Sequence, residues 1–180
     1  MCIVQDIAET IDKSGMTIRE VARRGYIDDR TIYKIKAQEQ KPKPHHIFAI
    51  SQATNEPTLI RSMCFEECPI GQRFGFRPLN NVNKTLLAVL NKSHEEAIEF
   101  IDTLQQMIQV ILNKDYKKAD EKPFFKGLQE LLDFLHCGQE IVDASIREWG
   151  FDVVAREFEK HHDKCIKEGY IKEKAPEMSA

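Results

Sequence analysis

MTIREVARRGYIDDRTIYKIK, residues 16–36, writes two helix starts in quick succession. Thr17 and Glu20 stand three apart, so the Thr17 hydroxyl can accept from the Glu20 backbone N–H while the Glu20 carboxylate reaches back to the cap. Met16 and Val21 hold the positions of the matching hydrophobic staple. Asp28 can cap a second helix, whose positive end favours its charge, with Ile27 and Ile32 as the second staple. Gly25, Tyr26 and Ile27 make the turn between. Val21, Ala22, Ile27, Ile32 and Ile35 then share one interior, small Ala22 permits a close crossing, and Arg30, Thr31, Tyr33, Lys34 and Lys36 are left outside.

The spacing predicts a helix-turn-helix, whose second helix is narrow enough to enter a DNA major groove and touch base edges with its first residues. Aligned without a gap, Met16 to Ile35 resembles the lambda-type phage repressor family. The resemblance implies that Asp29, Arg30, Tyr33 and Lys34 contact bases. Arg30 or Lys34 can donate to guanine, Asp29 can accept from cytosine N4, and the Tyr33 ring can pack on a thymine methyl. Thr17 and Lys36 are expected on the phosphate backbone. The chain departs from the family pattern in three places: Ile18 replaces a phosphate-contacting glutamine, glycine falls one position early at Gly25, and Ala37-Gln38 replaces Asn-Gly. A plain helical hairpin packed in a core is the alternative.

Outward from this stretch, Val4, Ile7, Ala8 and Ile11 at helical spacing predict a first helix from Ile3 to Lys13, with Gly15 near its end. The run Gln38 to Pro44 is polar and proline-punctuated, a loop whose Lys41 and Lys43 can touch phosphates. A helix over Pro44 to Ala53 presents Ile47, Phe48, Ile50 and Ala53. Another, capped by Asn55 or Glu56 with Pro57 at its first position, presents Leu59, Ile60 and Met63. Five helices close a domain of residues 1–68, and residues 69–83 are expected to be a linker. With the stretch HIFAISQATNEPTLIRSMC, the cysteine-proline turn at Cys68-Pro69 and a long helical tail, the layout looks like the phage CII-class lysogeny regulators. That resemblance implies a phage or prophage transcription regulator that binds DNA as an oligomer.

From Leu87 the pattern changes. Leu87, Leu90, His94, Ala97, Ile101, Leu104, Ile108 and Ile111 alternate three and four apart, the spacing of a long helix with one apolar seam. Leu86, Ile98, Phe100 and Leu112 widen the stripe beyond what a two-stranded coil needs, which favours a bundle. Leu87, Leu90, Ile101, Leu104 and Ile108 are the expected oligomerisation residues. The polar run Asn113 to Pro123 predicts a solvated loop. A second long helix follows from Phe124 to Trp149, with Phe125, Leu128, Leu131, Leu132, Leu135, Val142, Ile146 and Trp149 as its buried face and Gly138 at a close crossing. Gly150 ends it; Asp152 can cap a third helix, with Val153, Val154, Phe158 and Cys165 as burial candidates and Gly169 as its stop. The two long helices fold back antiparallel, so residues 84–171 form an oligomerisation or partner-binding domain. Residues 172–180 are expected to be a disordered tail. The fold class is therefore all-α, a lambda-repressor-like helix-turn-helix domain followed by a long-helix antiparallel bundle.

Composition sets the outer limits. A hydrophobic fraction of 42% beside 31% charged residues is that of a chain with a real core. No segment approaches the roughly 18 apolar residues of a membrane span, no basic leader precedes an apolar run, and no membrane partner is expected. With five cysteines, an odd number, reduced thiols and a cytoplasmic location are expected. The net charge of −3 is unevenly spread: residues 1–61 carry ten Lys and Arg against eight Asp and Glu, the remainder 16 against 21. So small a surplus binds phosphate weakly, and two copies are needed. Cys64 and Cys68 could be metal ligands one helical turn apart, but without a second pair they read better as thiols. His94, His136, His161, His162, Cys137 and Cys165 could sense pH or metal, against the plainer reading of tolerated polar residues. No phosphate-binding glycine loop, nucleophile elbow or zinc-protease helix is present, so no enzyme, cofactor or metal is expected. The expected partners are double-stranded DNA, at a two-fold site with half-sites about one helical turn or a multiple apart, and a second copy of the chain. The rival reading is a helical protein-interaction module or antitoxin-like protein in which DNA binding is secondary.

Overall fold

Isoleucine spacing and local capping build the first half of the molecule. The computed structural model describes residues 3–79, 81–112 and 121–171, all helix, turn or coil with no strand among them. Helix α1 (Ile3–Ser14) buries Ile3, Ile7 and Ile11. Helix α2 (Ile18–Gly25) starts on the expected capping box: Glu20 N–H donates to Thr17 Oγ1 at 3.3 Å and Thr17 N–H donates to Glu20 Oε2 at 2.8 Å. Helix α3 (Asp29–Lys36) starts on Asp28, whose Oδ1 accepts from Arg30 N–H at 2.9 Å. Helices α4 (Pro44–Thr54) and α5 (Thr58–Glu67) complete the cluster. At the start of α4, Lys43 N–H donates to His46 Nδ1 at 3.2 Å. Burial, then the neighbouring His45 and Lys43, hold His46 below its ordinary pKa, so this nitrogen stays an acceptor. Val21, Ala22, Ile32, Ile35, Ile47, Ile50 and Leu59 join the α1 isoleucines in one core, with the staple residues Met16 and Ile27 packed on its edge.

Two local expectations are corrected by this half of the structure. Gly25, expected in the turn, is instead the last residue of α2, and the left-handed residue that follows it is Tyr26 (φ 53°). Gly25 serves a close approach instead, since a Cβ there would stand 2.9 Å from the Ala49 carbonyl oxygen of α4. Phe48, expected in the core, is half exposed and turns toward Phe151, ring centroids 6.4 Å apart. The join is also more helical than expected: α5 runs on to Glu67 and a short α6 covers Pro69–Phe74, its Pro69 at a first-turn position. Asn55 ends α4 (φ 52°), and Glu56 Oε1 accepts from Thr58 N–H at 3.2 Å and from its hydroxyl at 2.6 Å.

Helices α7 (Leu86–Leu112) and α8 (Lys122–Trp149) pack along their length. Their contacts run in opposite order, Phe100 on Phe134 and Met107 against Gly127, so the pair is antiparallel. The row of α7 that faces α8 is Val89, Ser93, Glu96, Phe100, Thr103 and Met107. It stands one residue back from the predicted seam, whose Leu87, Leu90, Ile101, Leu104 and Ile108 are exposed. On α8, Ile146 is buried and Leu128, Leu131 and Val142 are half-buried as expected, but Phe125, Leu132, Leu135 and Trp149 face outward. Gly138 meets nothing within 4 Å; the close crossing is at Gly127, where a Cβ would collide with the Met107 side chain. Gly150 (φ 87°) both ends α8 and begins α9 (Phe151–Lys167), with Asp152 inside the first turn rather than at the cap. No described residue of α9 is buried: Val153 and Phe158 are exposed, Val154 and Cys165 half-buried, because the helix leaves α8 at that glycine and packs chiefly against α8, with Phe151 meeting Phe48 of α4. Of the loop predicted over 113–123, Lys122 and Pro123 belong instead to the first turn of α8, whose start suits proline, and residues 113–120 lie outside the described residues, as does the tail predicted over 172–180.

Ion pairs tie the two halves. Arg61 of α5 donates to Glu140 Oε1 at 2.5 Å and pairs with Asp143 Oδ2 at 2.7 Å, both carboxylates almost wholly buried on α8. Beside them Arg147 grips Glu56 through Nε (3.1 Å) and Nη2 (2.9 Å), and Leu79 N–H donates to Glu140 at 3.3 Å. Burial pushes the Asp143 carboxyl up to about 6; Arg61 pulls the other way but is shared with Glu140, whose charge adds to the rise. Hydrogen bonds from Arg147 and Thr58 outweigh burial at Glu56 and hold its carboxyl below the usual range.

Three outcomes follow from this packing. Gly25→Ala, forced against the Ala49 carbonyl, should lower the denaturant midpoint by a loss of about 1–3 kcal/mol, as overpacking does. Arg61→Ala leaves two buried carboxylates without a cation and should cost about 3–5 kcal/mol in the same measurement. The folded chain holds the Asp143 proton more tightly than the unfolded chain, so its contribution is full below pH 3.8 and is lost as pH rises through about 6. Glu56 opposes it only at lower pH, its contribution being lost as pH falls below the ordinary value of 4.5. His46, held below its ordinary 6.5, opposes it within the same range, so the Asp143 contribution is read by difference: in thermal melts the advantage of the native chain over Asp143→Asn should grow as pH falls from 7.5 to 5.

Candidate nucleic-acid interface

Helix α3 has two chemically different sides. Ile32 and Ile35 retain no accessible surface. One turn round, Arg30, Tyr33 and Lys34 are exposed, Tyr33 by 52%. Neither the Arg30 guanidinium nor the Lys34 ammonium has an ion-pair partner among the described residues. Asp29 is half-buried in the first turn, its Oδ2 3.8 Å from Arg19 Nε. The four predicted base-contacting residues thus lie on one helix, three of them exposed and the fourth half-buried and lightly paired. The set offers donors to purine acceptors, an acceptor to an exocyclic amine and an aromatic face.

The predicted phosphate contacts divide differently. The Thr17 hydroxyl accepts from Glu20 N–H and donates to Glu20 Oε2 at 2.9 Å; the Thr17 backbone N–H, donating to the same oxygen, and then this hydroxyl hold the Glu20 carboxyl below its ordinary pKa. Lys36 Nζ pairs with Asp12 at 3.1 Å. Lys41 Nζ pairs with Glu67 at 2.8 Å, which raises its pKa. Lys43 is exposed with its ammonium unengaged among the described residues. Three of the four are therefore occupied within the chain, because each has a carboxylate in reach that spacing along the chain could not reveal except for Glu20. Other cations of this region are exposed: Arg23 and Arg24 in the last turn of α2, and Arg19, 86% exposed. Their signal in the sequence is the basic end of α2, which balances its helix dipole and so has a purely structural explanation.

Other polar groupings lie elsewhere. A groove of about 690 Å³ opens between α1, the start of α5 and the residues Pro78, Leu79, Val82 and Lys84, with Asp6, Glu9, Lys13, Glu56 and Arg147 among its other walls. Carboxylate oxygens of Glu96, Glu130 and Asp133 gather within 4.8 Å, with Lys92 on Glu96 at 2.6 Å. Cys64 is exposed and Cys68 half-buried, and neither belongs to a cluster of three donor groups among the described residues. Cys165 Sγ lies 3.6 Å from His161 Nε2, and His136 stacks on Phe76 while its Nε2 lies 3.0 Å from the Arg77 carbonyl. No helix among the described residues is long and apolar enough to cross a membrane. Comparison of the chain with protein-family models, with curated proteins and with solved structures finds no match.

Proposed function

We propose that this chain is a sequence-specific DNA-binding transcription regulator of phage or prophage type, in which α1–α5 form a lambda-repressor-like helix-turn-helix domain and α3 is the reading helix. The observation that carries the reading is the outward set of Arg30, Tyr33 and Lys34 on a helix whose opposite side is locked by Ile32 and Ile35. The N-terminal end of α3 enters the groove, Arg30 or Lys34 donates to guanine, and Arg19, Arg23, Arg24 and Lys43 supply phosphate contacts. With so few unpaired cations a single copy binds weakly, so a two-fold site read by two copies is part of the proposal. The second reading, a helical protein-interaction module or antitoxin-like protein, draws on the exposed apolar residues of α7 and α8.

Selection of bound sequences from a random DNA pool should enrich a two-fold motif. Arg30→Ala should then relax one position of each half-site by roughly 1–3 kcal/mol, whereas Lys43→Ala should weaken all sequences alike and shallow the salt dependence. A pool that returns no enriched sequence, with binding that fades uniformly as salt rises, would sink the regulator reading in favour of the second.

A further inference from the structure

Both long helices carry an outer apolar row one residue beyond the row that joins them. On α7 the inner Val89, Phe100 and Thr103 are followed by the outer Leu90, Ile101 and Leu104. On α8 the inner Gly127, Leu131 and Phe134 are followed by Leu128, Leu132 and Leu135. One residue is about 100° of rotation in an α-helix. Because α8 runs opposite to α7 and faces it from the opposite direction, the same advance turns both rows toward one side of the hairpin.

From that geometry we infer that a second copy of this chain docks on the joint α7/α8 face, so that two hairpins close a four-helix bundle. The inference rests in part on the proposed DNA reading, which needs two copies, but three observations support it separately. The first is extent: the outer residues keep about half of their surface open, with Leu87 at 70%, Ile101 at 61% and Leu135 at 47%. These residues run along two helices of 27 and 28 residues as one stripe, not as the scattered single exposures usual on a monomer. The second is charge. Neither outer row contains an Asp, Glu, Lys or Arg, while Lys92, Glu95, Glu99, Lys126 and Asp133 lie toward the other side. An uncharged face meets its own copy with no like charges opposed, as an isologous interface requires. The third is spacing: Leu87, Leu90, His94, Ala97, Ile101, Leu104 and Ile108 keep a three-four alternation, the period at which helices interdigitate in bundles.

Sedimentation velocity of the full chain across a micromolar dilution series tests this. The native chain should run at twice the chain mass, and Ile101→Glu with Leu135→Glu should raise the dissociation constant at least 100-fold with helix content by circular dichroism unchanged. Glu99→Gln, on the charged side, should leave the dimer intact. Should the double variant lose helicity, Ile101→Gln alone, read by dissociation on dilution, makes the same test. A native chain that stays monomeric, or a dimer indifferent to substitutions on this face, overturns the inference. DNA selection on the same samples separates the two proposals: a monomer that still enriches a motif removes this face and leaves the reading helix, and a dimer that enriches nothing does the reverse.

Discussion

Complete burial of Ile32 and Ile35 is the constraint on which the first half of the molecule turns. Each isoleucine withdrawn from water contributes roughly 1.5–3 kcal/mol, and three residues apart they fix the rotation of a helix only eight residues long. Once they are held in the cluster with Ile7, Ile47 and Ile50, α3 has no freedom to choose what it shows. Arg30, Tyr33 and Lys34 face outward as a consequence. The capping of α2 and α3 by Thr17 and Asp28 then sets where each helix begins, so the turn between them is short and its geometry is determined at both ends.

These features are legible in the sequence because they are local. A cap and its third residue, or isoleucines one turn apart, carry their partners within a few positions, and the bounds of α1 to α5 follow from them to within a few residues. Gly25 stands out in the sequence as a turn residue, yet what it serves is distant: its neighbour is the carbonyl of Ala49, on another helix. The long hairpin is legible as two helices but not in its rotation. Rows 89-93-96-100-103 and 90-94-97-101-104 of α7 have the same period, and apolarity favours the second. The structure pairs the first because Ser93 and Thr103 are small enough for close approach, Thr103 satisfies its hydroxyl on Glu99 and Phe100 carbonyls of its own helix, and Lys92 neutralises Glu96 from one turn away. The same holds for the candidate interface. Residues on α3 can be placed by their position in the helix, whereas the engagement of Lys36 with Asp12 and of Lys41 with Glu67 depends on tertiary neighbours.

Least legible of all is the joint between the halves. Arg61 and Glu140 are 79 residues apart, and Glu56 and Arg147 are 91 apart, with no motif to announce either pair. Yet α1–α6 pack chiefly among themselves and α7–α9 likewise, so these guanidinium-carboxylate pairs are principal ties between the half that carries α3 and the half that carries the apolar face. Buried pairs of this kind add little net stability over apolar packing, but they are intolerant of losing one member, which makes them better at defining a mutual orientation than at strengthening it.

A joint made of ionic groups also differs from an oily one in what happens when it opens. Parting α5 from α8 would hand Arg61, Glu140, Asp143, Glu56 and Arg147 back to solvent that hydrates them well, and would leave the isoleucine cluster and the hairpin contacts closed. Parting would also separate Phe48 from Phe151, so the contacts that hold this joint are charged groups with one aromatic pair beside them, unlike the isoleucine-lined interior of the first half.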